Sequence, residues 1–566
     1  ATVTQPGHTA VSPIPSQVNQ DLSRLERSLS LFTTLRPGEG FPALLLAAQA
    51  FAIMVCLYLL KVIRDTLILS QGDAELKAYA TALQAALLIF IVPLFARLYF
   101  RLNERSGKYH LLRYLLLFFL ANLLLFALLH WLGVAIGFVF YVWQGIFAVM
   151  SLAVFWAFAA DLFNPKSGQR LFPLVAAASA LGALLGAALT APIDVVAGPA
   201  GVLIAAALLL VLPLWLSRLA VRAIPDGSGA LARVESPAPG SPLEGFALVV
   251  RNRFLCAIAA MVVLLNLINT NGEFILASLL TEEMARMGLD AANATARGQY
   301  LTAFYSMYQS LIALLGFVIQ LFLVSRVYDG WGVRGALLLL PMVTVLGYGL
   351  LALLPFLALA RVVMIAENSI SYSLTTTTRH ALFLPVTREE KYVGKQTIDT
   401  FFFRLGDLFS GGLVYVASSV LGLSAVVFIL GNLLLSGALL VLAIMIGRQH
   451  ARVVAGNMRN TPPVLARPIG DLQVDSGRIT EFIFTNDTFG DEDEGDALRY
   501  TAFLNDSDQL PAWVEFNGLQ RKFTFRPGAK EGGRISLRLV ARDYDGLSTE
   551  SRFDVHVVPA EGSGCD

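Results

Sequence analysis

Residues 59–70 read LLKVIRDTLILS, and they close an apolar run that begins near residue 43. About twenty such residues suffice to cross a bilayer as a helix, so the stretch predicts a membrane-spanning segment. It also carries Lys61, Arg64 and Asp65 to membrane depth, where a charged side chain is unfavourable unless it is paired or wetted. Because Lys61 and Asp65 lie four residues apart, we expect them to pair on one helix face.

The rest of the chain has the composition of a polytopic membrane protein. Of its 566 residues, 56% are hydrophobic and 15% are charged, and the mean hydropathy is +0.65. A soluble domain is usually about 25% charged. Similar apolar runs recur as far as residue 447 and predict about twelve spans. Residues 1–40 are polar, and we expect no cleavable signal peptide.

The longest polar connection between spans, residues 222–245, follows the sixth span and is rich in Pro, Gly and Ser. It therefore predicts a linker between two halves of the membrane region. Two such halves of about six helices each are typical of major-facilitator-type transporters. The predicted division is an N-terminal segment 1–40, a first half 41–220, a linker 221–252, a second half 253–447, a basic linker 448–461 and a C-terminal domain 462–566.

The distribution of basic residues predicts the orientation in the membrane. Every second loop is rich in Lys and Arg, whereas the opposite loops are nearly bare, with Lys77 as the one basic residue of the first of them. Cytoplasmic loops carry the excess of basic residues. Both termini are therefore expected in the cytoplasm.

Further charged residues fall within or at the edge of the predicted spans: Asp161, Glu273, Glu367, Arg404 and Asp407. Such groups either neutralise one another in packing pairs or line a polar cavity. Fixed cations in a cavity suit an anionic cargo, and buried carboxylates suit a coupling proton. The chain has no Walker motif and no nucleophile–base set, so we do not expect an enzyme, and no basic stripe indicates nucleic acid.

Four stretches together resemble the ATP/ADP translocases, the nucleotide transporters of plastids and intracellular bacteria. They are LLKVIRDTLILS (59–70), FWAFAADLFNPKSGQRLFPLVAAASALGALLG (155–186), NLINTNGEFILASLL (266–280) and SYSLTTTTRHALFLPVTREEKYVGKQTIDTFFFRLGD (371–407). The resemblance covers roughly residues 41–447. It implies an all-α, major-facilitator-like fold of about twelve helices in a bacterial inner membrane. It also implies nucleotide exchange without hydrolysis, by alternating access.

The resemblance also implies roles for individual residues. Arg64 stands where the family often carries Lys, and Asp65 keeps the family's acid. Asp161 falls where relatives carry an acid or an amide. Lys391 and Lys395, in EEKYVGKQTID, match two basic positions. These two lysines are either phosphate ligands at the inner mouth of the cavity or positive-inside anchors alone.

The span-seven motif departs from the family. Asn269 occupies the position where ATP/ADP exchangers carry Glu, and Glu273 lies one turn later. A carrier of another anionic metabolite therefore stays open, as does a non-transporting membrane scaffold or sensor. The full set of candidate substrate-binding residues is Lys61, Arg64, Asp65, Asp161, Asn269, Glu273, Glu367, Lys391, Lys395, Arg404 and Asp407.

Residues 462–566 have a different, soluble composition with some seven short alternating segments, which predicts an all-β sandwich. The segment resembles a dystroglycan-type cadherin-like, or Ig-like, domain. Trp513 is its expected core anchor, and Phe489 is expected to point inward. Such a domain suits a protein or glycan partner of the chain.

Acidic residues cluster in two turns of this domain and are candidates for calcium binding: Asp487, Asp491, Asp493, Asp543 and Asp545. Calcium takes six to eight oxygen ligands, which carboxylates supply. The alternative is a pair of solvated acidic turns without a metal. The chain is not expected to require any cofactor.

Overall fold

The structure is a computed structural model that describes residues 39–106, 108–163, 165–223, 242–289, 293–387, 390–457, 462–491, 498–505, 507, 509–529, 531–543 and 546–559. The predicted N-terminal segment as far as residue 38 and most of the predicted central linker lie outside the described residues. The chain divides after His450 into two compact units, one helical and one built of strands.

The first half of the helical unit contains five continuous helices in the described residues: α1 Gly40–Gln71, α2 Ala74–Ser106, α3 Lys108–Trp131, α4 Gly137–Leu162 and α5 Pro165–Ala223. Helix α5 is long enough to cross twice, and it bends at Gly198, whose φ is +66°. A side chain would be strained at this positive φ, so the bend depends on glycine. Pro199 follows directly and cannot donate a helical hydrogen bond.

The second half begins with a short helix in the predicted linker. Its helices are α6 Pro242–Arg251, α7 Arg253–Arg286, α8 Ala294–Val318, α9 Val324–Leu353, α10 Leu357–Ile370, α11 Thr376–Leu382, α12 Lys395–Thr397, α13 Phe403–Val414 and α14 Ala425–Asn457. Turns of π-helix connect several of them: Ile319–Leu323, Ser371–Thr375, Glu390–Gly394, Ile398–Phe402 and Tyr415–Val420. The Asn252 side chain caps α7 by accepting the N–H groups of Phe254 and Leu255.

Eight stretches of the described residues are long and apolar enough to cross a membrane. Two of them, Arg170–Ala220 and Ala294–Leu353, bend at Gly198 and Gly332 and have the length for two crossings each. Two further helical stretches, residues 357–382 and 390–420, are interrupted by π-helical turns. Together these segments agree with the twelve or so predicted spans.

Small residues let α5 pack directly on α1. A Cβ atom added to Gly186 would lie 2.4 Å from the carbonyl oxygen of Val55, and one added to Gly182 would lie 2.5 Å from that of Phe51. Helices approach this closely in membranes where side chains are small. The run AAASALGALLGAAL therefore serves helix packing.

Several hydrogen bonds join the two halves at one end of the bundle, where α1 finishes and α2 and α8 begin. The Thr302 hydroxyl donates to the Thr66 hydroxyl at 3.2 Å, and Arg297 donates to the carbonyl oxygen of Leu69 at 2.8 Å. Ser418 donates to Glu75 in the first turn of α2 at 2.5 Å. The halves are therefore fastened together at this end.

The second unit contains nine strands in the described residues: β1 Val464–Leu465, β2 Leu472–Asp475, β3 Thr480–Ile483, β4 Phe489–Gly490, β5 Arg499–Leu504, β6 Val514–Asn517, β7 Lys522–Phe525, β8 Gly533–Arg542 and β9 Ser548–Val558. One sheet has the order β2-β9-β8-β5 and another β3-β7-β6, with β1 and β4 as a separate pair. All pairs are antiparallel except β2 with β9.

The core of this unit lies between the two sheets and is built on Phe523 and Phe525, which are fully buried. Phe489 points inward as predicted. Trp513 packs against this core as predicted, but it is half-buried and precedes β6, so the fully buried Phe523 and Phe525 of β7 form the centre instead.

Candidate functional site

A cavity of about 430 Å³ lies between the two halves of the helical unit. Its walls come from α1, α2 and α4 of the first half and from α7, α8, α10, α11 and α13 of the second, including the π-helical turn Ser371–Thr375. Ligand cavities are usually about 300–1,000 Å³. The candidate binding residues that line it are Lys61, Arg64, Asp65, Asn269, Glu273, Arg404 and Asp407.

The described lining does not include the remaining candidates. Glu367 is buried behind the cavity wall, next to Asn368, which lines it. Lys391 is exposed and Lys395 is half-buried, and neither lines the cavity. Asp161 belongs to α4, but its side chain lies outside the described residues. The substrate-binding roles of all these residues stay predictions.

Lys77 is the central cation of the site, although the sequence placed it in an outer loop. Its Nζ atom lies 3.3 Å from Asp65 and 3.1 Å from Glu273, and it is 4% exposed. It also donates to the Tyr305 hydroxyl at 3.3 Å. The expectation was wrong because α2 begins at Ala74, one turn before the apolar run, so Lys77 already faces the interior.

A polar stripe could have revealed this inward face of α2. Three polar residues of α2 are spaced at i, i+4 and i+7 and line the cavity: Lys77, Thr81 and Gln84. Polar side chains recurring at i, i+4 and i+7 share one helix face. In a membrane segment such a face turns toward protein or water rather than lipid.

The predicted pairing of Lys61 with Asp65 is wrong. Asp65 is taken by Lys77, which reaches it from α2, and its carboxylate also lies 3.7 Å from the Arg64 guanidinium. The Lys61 ammonium instead lies 5.4 Å from each of the ring centres of Tyr58 and Tyr372. In the described part of the chain, Lys61 makes no ion pair with a carboxylate.

Two arginines are held in fixed orientations. Arg64 donates to the Gln144 side chain at 2.8 Å and stacks over Tyr141, with 4.4 Å between the guanidinium carbon and the ring centre. Arg404 lies 3.8 Å from Asp407, as its i,i+3 spacing predicts. Asp407 also accepts a hydrogen bond from the Thr270 hydroxyl at 2.7 Å, which orients the carboxylate.

Arg379 was missed as a site residue, because it reads as one of several basic residues of an inner loop. It stands on α11, lines the cavity, and lies 3.6 Å from Asp399. Tyr372, Thr375 and Thr376 line the cavity on the same face. The spacing of these four residues is the helical signal that could have found it.

The lining carries an excess of positive charge. Five cations of the lining face three carboxylates, and Asp399 outside the lining pairs with Arg379, so one positive charge is left over: Lys61, Arg64, Lys77, Arg379 and Arg404 against Asp65, Glu273, Asp407 and Asp399. A cleft with low-dielectric walls and one excess sign of charge concentrates ions of the opposite sign. The arrangement can therefore bind an anion.

The acidic turns of the second unit are partly described. Asp487 forms an ion pair with Arg467 at 2.7 Å, and a hydrogen bond from Thr485 lowers its pKa. Asp543 accepts the N–H groups of Gly546 and Leu547 and so closes a turn. Asp491 ends the first described stretch of this unit, and Asp493 and Asp545 lie outside the described residues. Calcium binding stays a prediction.

Among the described residues, metal-ligand atoms converge in a different place, on Asp471, Asp554 and His556. Asp554 is already occupied there, because Ser536 and Arg534 donate to its carboxylate. Its backbone N–H donates to Asp471 at 2.9 Å. Asp471 directly precedes β2, so the pairing of β2 with β9 accounts for the proximity of the two acids.

Comparison with known proteins bears on each unit separately. Residues 462–558 match the family described as a putative Ig domain. This agrees with the predicted Ig-like sandwich. No match was found among curated protein sequences.

The helical unit is similar in structure to solved membrane transporters, most clearly to the nucleoside transporter NupG. The nucleoside transporter NupG superposes with a TM-score of 0.50 at 12% identity, over 73% of this chain and 99% of that chain. A bacterial homologue of the human lysosomal transporter Spinster has a TM-score of 0.46 at 11% identity over 75% and 99%. An auto-inhibited POT family peptide transporter has 0.46 at 14% over 73% and 96%.

At these identities the likeness concerns the fold alone. The predicted fold, a major-facilitator-like helical bundle followed by an Ig-like sandwich, is confirmed. The chain is a multi-pass membrane protein by the number of its long apolar helices.

Proposed function

We propose that the chain is a membrane carrier for an anionic, phosphate-bearing solute of the nucleotide class. The observation that carries this proposal is the net positive cavity between the two halves, with the Lys61 ammonium near two aromatic rings and, among the described residues, in no ion pair with a carboxylate. A phosphate entering the cavity meets this cation without having to displace an acid. Charge-assisted hydrogen bonds to phosphate are among the stronger ones in proteins.

Aromatic side chains in the same lining support a nucleotide rather than a bare phosphate. Tyr372, Phe403 and Phe274 line the cavity together with the cations. Aromatic rings stack on flat ring systems, and a nucleobase offers one next to its phosphates. The resemblance of residues 41–447 to the ATP/ADP translocases points to the same class.

The arrangement of the halves supports alternating access. Contacts between them gather at the end of the bundle where Thr66 meets Thr302 and Glu75 meets Ser418, and Lys77 spans the halves beside the cavity. Rocking of one half against the other about a central site is the common mechanism of this architecture. We place both termini in the cytoplasm of a bacterial inner membrane from the basic loops, so the fastened end is the outer one.

The test is uptake of radiolabelled ATP and ADP by proteoliposomes. We expect saturable uptake by the wild type and a loss of kcat/KM of about tenfold or more in Lys61→Gln, the effect of one charge-assisted hydrogen bond. The matched control is Lys522→Gln, which removes a lysine paired with Glu481 on the second unit and should leave uptake unchanged. Equal uptake by wild type and Lys61→Gln would contradict the assigned site.

Asn269 supports a second candidate cargo, another anionic metabolite, because ATP/ADP exchangers carry Glu at this position. Here the amide donates to Glu367 at 3.2 Å and to Asn368 at 3.1 Å instead of presenting a charge. A panel of unlabelled sugar phosphates, dicarboxylates and nucleotides competing for uptake separates the two. Competition by nucleotides alone supports the first proposal, and competition by the other anions alone supports the second.

A further inference from the structure

Glu367 on α10 is an isolated acid in the membrane region. It is 2% exposed, and in the described residues no cation forms an ion pair with it. The carboxylates that line the cavity each have a cation as partner. Asp65 and Glu273 share Lys77, and Asp407 has Arg404. A buried carboxylate without a counter-ion is unfavourable as an anion and favourable as a neutral acid.

The surroundings of Glu367 accommodate both charge states. In the ionised state its two oxygens accept hydrogen bonds from the Tyr348 hydroxyl at 2.8 Å and from the Asn269 amide at 3.2 Å. In the protonated state the acid must donate, and Tyr348 can accept because a phenol both donates and accepts. The phenol hydrogen then has another partner, since the Met364 sulfur lies 3.4 Å from the Tyr348 oxygen.

The groups facing Glu367 come from every neighbouring helix. Helix α7 contributes Asn269 and, one turn later, Glu273. Helix α9 contributes Tyr348, and the π-helical turn after α10 contributes Tyr372. Tyr308 on α8 lies behind Asn368. These neighbours are acids, phenols and amides, so the charge on Glu367 has only hydrogen bonds to oppose it.

A continuous chain of hydrogen bonds leads from Glu367 to the ion pair between the halves. Asn269 donates to both Glu367 and Asn368, Asn368 donates to the Tyr308 hydroxyl at 3.1 Å, and Tyr308 donates to Glu273 at 2.7 Å. Glu273 in turn pairs with Lys77 of the first half. Asn269 and Asn368 both line the cavity, so the network that ends at Glu367 borders it.

We propose that Glu367 is a reversible proton-binding site, linked through Asn269, Asn368 and Tyr308 to the Lys77–Glu273 pair that joins the halves. The inference rests on the proposed carrier function and adds proton coupling to it. The step binds one proton from the water of the cavity to a Glu367 carboxylate oxygen and forms an O–H bond. In response Tyr348 turns its hydroxyl hydrogen to the Met364 sulfur, and the hydrogen bond from Asn269 weakens because the carboxylate loses its charge. The altered hydrogen bonds change how firmly Glu273 holds Lys77.

The first test is infrared difference spectroscopy of the full-length protein in lipid during a pH titration. We expect a carboxylic-acid carbonyl band that titrates in the wild type and is absent from Glu367→Gln. The band should persist in Glu282→Gln, which changes an exposed acid at the end of α7. Tyr348→Phe keeps the acid and removes one hydrogen-bond partner, so its band should shift in frequency. A carbonyl band that is the same in the wild type, in Glu367→Gln and in Tyr348→Phe would overturn the proposal.

The second test measures the link to the outer end. Amide hydrogen exchange of residues 66–79 and 294–306, corrected for the intrinsic rate, should change between acidic and neutral pH in the wild type. The change should be lost in Glu367→Gln and in Asn368→Leu, which breaks the chain of hydrogen bonds, and be kept in Glu282→Gln. The same pH response in all variants would refute the link. Neither test needs a cargo, so the failure of nucleotide uptake is a separate result.

Discussion

At the scale of single residues, Lys77 determines how the charges of the cavity are arranged. It pairs with one carboxylate from each half, Asp65 and Glu273, and so leaves Lys61 without an acid. Sequence spacing within α1 suggested the local pair Lys61–Asp65. Asp65 instead pairs with Lys77 of α2, and the spacing of residues within α1 cannot predict a contact with another helix.

Removal of Lys77 should strongly destabilise the helical unit. Lys77→Met takes the nearer cation from two buried carboxylates, leaving Glu273 without an ion pair and Asp65 with only its 3.7 Å contact to Arg64. Breaking a buried pair in this way costs about 3–5 kcal/mol. The measurement is the thermal unfolding midpoint of the purified protein in detergent. Arg286→Gln is the control, since Arg286 pairs with Glu282 and Glu283 at the surface and such pairs contribute about 1 kcal/mol or less.

The double variant Lys77→Met with Glu273→Gln sharpens this prediction. It removes one of the two stranded charges, so part of the lost stability should return. The same midpoint for the single and double variants would show that Lys77 acts by packing rather than by charge.

At the scale of helices, hydropathy predicts where the chain crosses the membrane, because each crossing needs its own apolar length. Hydropathy predicts a loop between successive spans, but at Gly198 and Gly332 the structure has a bend instead. A glycine at positive φ changes the direction of the chain within one residue. The π-helical turns near Ser371 and Ile398 carry no compositional signal. Their presence depends on packing between helices that are distant in sequence.

Contact between α1 and α5 should depend on glycine. Gly186→Ala places a methyl group 2.4 Å from the carbonyl oxygen of Val55, and overpacking of this kind costs about 1–3 kcal/mol. The matched control is Gly437→Ala on α14, where nothing lies within 4 Å of the added atom. There the substitution should be neutral or slightly stabilising, because alanine favours helix. Thermal midpoints of the two variants provide the comparison, and equal effects would contradict the close approach.

In the sandwich, the strand pair β8–β9 should carry a pH-dependent contribution to stability. Hydrogen bonds from Ser536 and Arg534 lower the pKa of Asp554. A carboxyl group whose pKa is lower in the folded state stabilises the fold above its unfolded value, near 3.9, and loses that effect as the pH falls through the folded value. The protection of β8 and β9 against hydrogen exchange in the full chain, corrected for the intrinsic rate, should therefore fall below about pH 4.

Asp554→Asn tests this assignment. The variant should show weaker protection of β8 and β9 at neutral pH and a smaller further loss on acidification. Asp475→Asn is the control, because Asp475, at the end of the edge strand β2, has the exposed Arg478 as its ion-pair partner among the described residues. An acid response that is the same in all three proteins would place the titrating group elsewhere.

At the scale of the whole molecule, the sequence predicts two unlike units, and the structure contains both. Composition separates the apolar bundle from the sandwich because lipid and water demand different surfaces. The excess positive charge of the cavity was predictable only in outline. Arg64 and Arg404 stood out as charges inside apolar runs, whereas Lys77 and Arg379 stood at the ends of runs and read as loop residues.

The central claim is that this positive cavity selects a negatively charged cargo. Equilibrium binding of radiolabelled ATP and of adenosine to the purified full-length protein tests it most directly, because the two share a base and differ in the phosphates. We predict saturable binding of ATP and binding of adenosine weaker by about a hundredfold, as expected for two lost charge-assisted contacts. Adenosine binding as tight as ATP would contradict the claim, as would the absence of binding by ATP and by every other anion of the competition panel.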